Sequence, residues 1–203
     1  MNLLEILSAN QTLRKALPRI AGLGLSDWYL GGGCIAQTVW NHAHGKPLNQ
    51  DIVDYDLVYF DADQSADSEA ATEQRAKEAL ADLALNLDVK NQARVHLWYP
   101  RRFGYEIEPY RSTEEAIATW PTTAASIGVR LGDSGFRVWA PFGTEDLFKL
   151  IVRANRVQIT PEIYAAKVAR WRICWPSLVI LPWEQGTGVE GSRRAAIPPR
   201  ATG

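Results

Sequence analysis

Two aspartates and a run of glycines carry the chemistry legible in this 203-residue chain. Residues 52–60 are nearly continuous β-branched and aromatic residues, broken by Asp54 and Asp56. Strand side chains two apart project from the same face, with Cα atoms about 6.6 Å apart, a spacing suited to one shared divalent cation. A lone Asp-x-Asp is usually a solvated turn. In an apolar strand, burying two like charges without a cation would be costly, and that setting points to metal. Asp51 and Asp61, at the strand edges, read as ordinary loop carboxylates.

Upstream, Trp28-Tyr29-Leu30 runs straight into Gly31-Gly32-Gly33, and Cys34 to His44 then reads as a helix ending at Gly45. A glycine triplet alone marks a tight chain reversal. With a helix following at once, its backbone N–H groups, unobstructed by Cβ atoms, form an anion site suited to phosphate. The Gly-Lys-Ser/Thr of a Walker A loop and the later glycine of G-x-G-x-x-G are absent, so neither of those phosphate sites is encoded.

The elements that must hold these residues alternate. Leu3, Leu4, Ile6, Leu7, Leu13 and Leu17 repeat at helical spacing up to Pro18. Ser68 to Leu87 reads as a helix capped at Asp67 or Ser68, and Asp88 to Tyr99 as a third strand. Alternation along that strand puts Lys90, Gln92, Arg94, His96 and Trp98 on one face. Helix-strand-helix-strand-helix-strand predicts an α/β or α+β sheet with helices packed against it.

Further on, Ser112 caps a helix that Pro121 ends, and Gly132-Asp133-Ser134-Gly135 joins two strands of a hairpin. Gly143-Thr144-Glu145-Asp146 starts a helix running through Val152, and Pro161 starts another through Trp175. Trp171 and Trp175, four apart, would anchor that last helix. Residues 1–178 form one domain with its core at 20–140, and 179–203, rich in Gly, Pro, Ser and Arg, reads as a disordered tail.

Composition sets the limits. The chain is 46% hydrophobic and 22% charged, enough to bury a core, which excludes disorder throughout. A net charge of -1 argues against an extended basic nucleic-acid surface but leaves local arginines free to hold small anions. Cys34 and Cys174 are too few for a disulfide framework, so a reducing cytoplasm is the simplest setting. No signal peptide or membrane span is readable.

A strand ending in h-Gly-Gly (h, hydrophobic), then a helix, then h-Asp-h-Asp-h on the next strand resembles the signature of the DNA polymerase beta-type nucleotidyltransferase superfamily. Val89 to Tyr99, Pro109 to Ala116, Trp120-Pro121-Thr122-Thr123-Ala124 and Ala140-Pro141-Phe142-Gly143 are similar to the bacterial nucleotidyltransferase-like family within it. The resemblance covers residues 1–178 and implies an α+β fold, a mixed sheet flanked by helices with added C-terminal helices. It also implies transfer of a nucleoside monophosphate from a nucleoside triphosphate to an acceptor hydroxyl on a small molecule, RNA or protein, with pyrophosphate leaving.

Carried onto this chain, the resemblance makes Gly31, Gly32 and Gly33 the triphosphate cradle. Asp54 and Asp56 become ligands of one or two Mg²⁺, with Mn²⁺ as a substitute. A third carboxylate is expected on a later strand: Asp88 is the first candidate, then Glu106 and Glu108. Arg94, His96 and Arg111 are candidate phosphate contacts, as are Arg130, Lys149 and Arg153. Two other readings stand beside the enzyme: a catalytically silent nucleotide-binding or regulatory module, and a toxin–antitoxin-type interaction protein.

Overall fold

The computed structural model describes residues 1–132 and 135–188. Asn10 divides the expected first helix in two. Its side chain accepts from the amides of Thr12 and Leu13, ending α1 (Leu3–Ala9) and capping α2 (Gln11–Ala21), within which Pro18 lies. There follow β1 (Tyr29–Gly31), α3 (Gly33–Ala43), β2 (Tyr55–Tyr59), α4 (Ala66–Ala79) and β3 (Leu87–Asn91). After these come α5 (Val95–Phe103), α6 (Thr113–Ile117), β4 (Gly128–Gly132), β5 (Gly135–Trp139), α7 (Glu145–Phe148), β6 (Ile151–Val152), α8 (Pro161–Cys174) and β7 (Val179–Ile180).

The main sheet has the order β3-β2-β1-β4-β5, with β2 and β3 parallel and every other pair antiparallel. This is the mixed α+β sheet expected from the sequence. Helix α4 makes the crossover between the parallel pair, as parallel strands require. Register separates the two faces. Leu30, Leu57 and Val89 are neighbours on the face covered by α1–α4, and all three are fully buried. Gly31, Asp56 and Asp88 are neighbours on the other face, one residue out of phase.

Besides the split at Asn10, α4 is capped by Ser65 and ends at Ala79 rather than running from Ser68 to Leu87, and three further expectations need correction. The third strand, expected to reach Tyr99, stops at Asn91. The Asn91 side chain accepts from the amides of Asp61 and Ala93 and donates to the carbonyls of Asp61 and Asp63, so the chain turns there into a helical segment. Arg94, His96 and Trp98 therefore do not share a strand face. The helix expected through Val152 ends at Phe148, because Leu150 adopts φ 58° and releases Ile151–Val152 to pair with β7.

The third correction concerns the tail expected from residue 179, whose first part is built into the fold. Val179–Ile180 forms β7, and Thr187 donates to Ala154 O while accepting from Arg156 N. Such backbone pairing needs no apolar periodicity, the only signal that residues 179–188 lacked. Residues 189–203 lie outside the described residues, as do Asp133 and Ser134 at the hairpin tip. Gly132 and Gly135 close that hairpin as expected.

Candidate active site

Gly31, Asp56 and Asp88 form one row across three adjacent strands, and the chain leaves β1 through the glycine corner beside them. A Cβ on Gly31 would stand 2.5 Å from Ile127 O and 3.0 Å from the Trp120 ring, so only glycine fits. Gly32 has φ +68°, and its Cβ would lie 3.0 Å from Asp56 Oδ2. The bare backbone thus lets the carboxylate sit against the corner. Gly32 donates its own N–H to Ile127 O at 2.8 Å. No side chain caps the start of α3, a setting in which helix amides can hold an anion.

A cleft of about 410 Å³ opens here, within the usual range for a small-molecule site. Gly32, Gly33, Asp56 and Asp88 line it, together with an aromatic wall of Trp98, Tyr99, Phe103 and Tyr110. Tyr110 donates to Gln158 Oε1 at 2.7 Å and Tyr105 to Gln158 O at 2.6 Å, which locks that wall in place. Trp120 packs over the glycine corner, and Lys167 enters from α8.

Burial pushes the Asp56 carboxyl up to about 6 from 3.8; Asp88 and Asp54 push it further up, while Lys167 and Lys90 pull it down. Lys90 is committed to Asp88 through an ion pair. Lys167 is held below its ordinary value, first by desolvation, with Asp56 opposing that shift. Beneath Asp56 the thiol of Cys34 is fully buried and its pKa is pushed up, so it acts as core rather than nucleophile.

The profile of a family described as Nucleotidyltransferase matches residues 18–180. The chain belongs to that nucleotidyltransferase family. A solved structure described as revealing a CCA-adding enzyme head domain, determined by NMR, is also similar. It superposes with a TM-score of 0.71 at 25% identity, over 89% of this chain and 96% of that one. No curated protein sequence matches. Among the described residues no helix is long and apolar enough to cross a membrane.

In this nucleotidyltransferase the expected site residues fall into two groups. Gly31, Gly32, Gly33, Asp56 and Asp88 come together at the glycine corner. Asp54 stands just before β2, exposed, accepting from Asn86 Nδ2 at 2.6 Å; its charge still reaches Asp56 and Lys167. Among the described residues no three His, Cys, Asp or Glu side chains converge into a preformed metal site. The donor set nevertheless suits a hard divalent cation: a buried carboxylate with two more carboxylates at its side.

The second group lies apart from the cleft lining. Arg94 is ion-paired with Glu69 and donates to Gln64 O at 2.8 Å, bridging α4 and the end of β3. His96 sits in the first turn of α5 with a buried Nδ1 that has no hydrogen-bond partner among the described residues. Arg111 is exposed and pairs with Glu115; Lys149 pairs with Glu145 and Arg153 with Asp146, and Arg130 lies 4.0 Å from Asp27. Glu106 and Glu108 are exposed beyond α5, leaving Asp88 as the carboxylate beside Asp56.

Sequence reasoning missed Lys167, Lys90 as the partner of Asp88, and Trp120 as the cover of the glycine corner. Only Trp120 left a usable signal, since it stands directly before Pro121 in a segment that is similar to the family. Lys167 has no local signal, being one of several charges between Pro161 and Trp175. Trp98 lines the cleft, whereas Trp40 is buried in the core.

Proposed function

We propose that this nucleotidyltransferase binds a nucleoside triphosphate in the cleft and moves its nucleoside monophosphate to an acceptor hydroxyl in a Mg²⁺-dependent reaction. The observation that carries this reading is the in-register row of Gly31, Asp56 and Asp88 beside the uncapped start of α3. It joins an anion site to a carboxylate pair, the two things phosphoryl transfer needs close together.

Asp56 and Asp88, with Asp54 reaching in from the rim, are the residues that would hold Mg²⁺, or Mn²⁺ in its place. When bound, the ion supplies charge neutralisation and Lewis acidity at the transferring phosphoryl group. The amides at the start of α3 bind and orient the phosphates, and Gly32 allows the chain to come this close. Asp88, 53% exposed at its side chain, is the carboxylate an acceptor hydroxyl meets first. The aromatic wall of Trp98, Tyr99 and Phe103 presents flat apolar rings to the nucleoside or to the acceptor. The free cysteines favour a reducing compartment, and we read the protein as cytoplasmic.

The test is a panel of ATP, CTP, GTP and UTP with Mg²⁺ or Mn²⁺, following thermal stability and pyrophosphate release in wild type and in Asp54→Asn/Asp56→Asn. At least one triphosphate with metal should raise the wild-type Tm, because a ligand that binds only the folded state stabilises it. The double variant should not respond. No metal-dependent shift with any nucleotide, or an equal shift in the variant, refutes the site.

A further inference from the structure

Helix α8 has two faces with different work. Tyr164, Val168 and Trp171 pack into the core, while Ile163 and Lys167, one turn apart, line the cleft. The helix is braced against α3. The rings of Trp171 and Trp175 lie 4.9 and 5.5 Å from that of Trp40, and the Trp175 indole N–H donates to Asn41 Oδ1 at 2.8 Å. The helix that starts at the glycine corner therefore also sets where Lys167 stands.

Lys167 differs from the other lysine of the cleft. Lys90 is ion-paired with Asp88, whereas among the described residues Lys167 makes no ion pair, and its ammonium stands 5.5 Å from the Trp171 ring. It feels Asp56 and Asp54, and Arg170 adds positive potential beside it. A desolvated ammonium on a flexible stem, next to an anion-binding helix start, is matched to phosphate oxygens.

Charge indicates which phosphates. Lys167 lines the cleft with Gly32, Gly33 and Asp56, and it interacts electrostatically with Asp56 and Asp54. The β- and γ-phosphates carry most of the charge of a triphosphate, and of the two lysines that line the cleft Lys167 is the one that makes no ion pair among the described residues. We propose that Lys167 binds the β- and γ-phosphates of the nucleoside triphosphate, and so the pyrophosphate as it leaves. This rests on reading the cleft as a triphosphate site.

The experiment is isothermal titration, in Mg²⁺, of ATP, CTP, GTP, UTP, the matching monophosphates and inorganic pyrophosphate into wild type, Lys167→Gln, Lys167→Met and Lys167→Arg. Loss of a charged hydrogen-bond donor should weaken triphosphate and pyrophosphate binding about 10- to 100-fold in both neutral variants. Monophosphate affinity should stay within about twofold, and arginine should restore most of the loss. Ligand-free unfolding midpoints identify a variant that has lost its fold, and the other neutral variant then carries the comparison.

Wild type that binds triphosphate while both neutral variants bind it equally well overturns the role of Lys167 and leaves the site reading standing. Equal losses for mono- and triphosphate also overturn it. Wild type that binds neither triphosphate nor pyrophosphate overturns the site reading, and this inference with it.

Discussion

Replacing Asp56 by asparagine should make the ligand-free protein more stable while removing its chemistry. Burial, reinforced by Asp88 and Asp54, pushes the Asp56 carboxyl up to about 6 from 3.8. The folded value lies above the unfolded one, so between them the folded chain binds more protons and stability falls as pH rises. That loss is absent below about pH 4 and complete above about pH 7. At about 1.4 kcal/mol per tenfold change in acidity, ionised Asp56 costs the native state about 3 kcal/mol at neutral pH. The neutral amide of asparagine, nearly the same shape, escapes this cost. The attraction of Lys167 is already contained in that value of about 6, so the net gain is about 3 kcal/mol, or roughly 6–12 °C in Tm for a chain of this size. Urea and thermal unfolding in EDTA, from pH 5 to 8, measure it: the advantage of Asp56→Asn should grow with pH and level off near neutrality. A variant less stable than wild type at pH 8, or an advantage that does not change with pH, would refute the electrostatic description of the site.

Metal loading should follow the same ionisation: at limiting Mg²⁺, kcat/KM for transfer should rise with pH through about 6 and then flatten. Gly32→Ala should cost about 1–3 kcal/mol in urea unfolding, since φ +68° is strained for alanine and the added methyl meets Asp56 Oδ2 at 3.0 Å. Triphosphate affinity should drop in the same variant, read by titration. Arg94→Ala should lower stability by about 1–3 kcal/mol, because it leaves Glu69 without its partner where both side chains are 15% exposed, with triphosphate affinity unchanged. Arg111→Ala, at an 88% exposed side chain, should leave stability within about 0.5 kcal/mol in the same assay.

The local steps of the site were legible because they depend on near neighbours in the chain. A strand running into glycines and then a helix, and aspartates two apart in an apolar strand, are properties of periodicity and of the missing glycine Cβ. The same local logic failed at Asn91, where alternating residues looked like a continuing strand. There a buried side chain takes over the backbone's hydrogen bonds and turns the chain, so Arg94 faces Glu69. It failed again at 179–188, where pairing with β6 and with Ala154 orders a segment that has no apolar pattern.

The sequence by itself determined the glycine corner, Asp54 and Asp56, the mixed α+β class and Asp88 as a candidate. Only the tertiary structure decided that Asp88 lies beside Asp56, because that depends on the parallel register of β2 and β3 across the α4 crossover. It also decided that Lys167 enters the cleft, because the packing of Trp40, Trp171 and Trp175 brings α8 against α3. Charges more than a hundred residues apart in the chain meet only when a sheet register and a helix packing bring them together, and neither distance is written in local spacing.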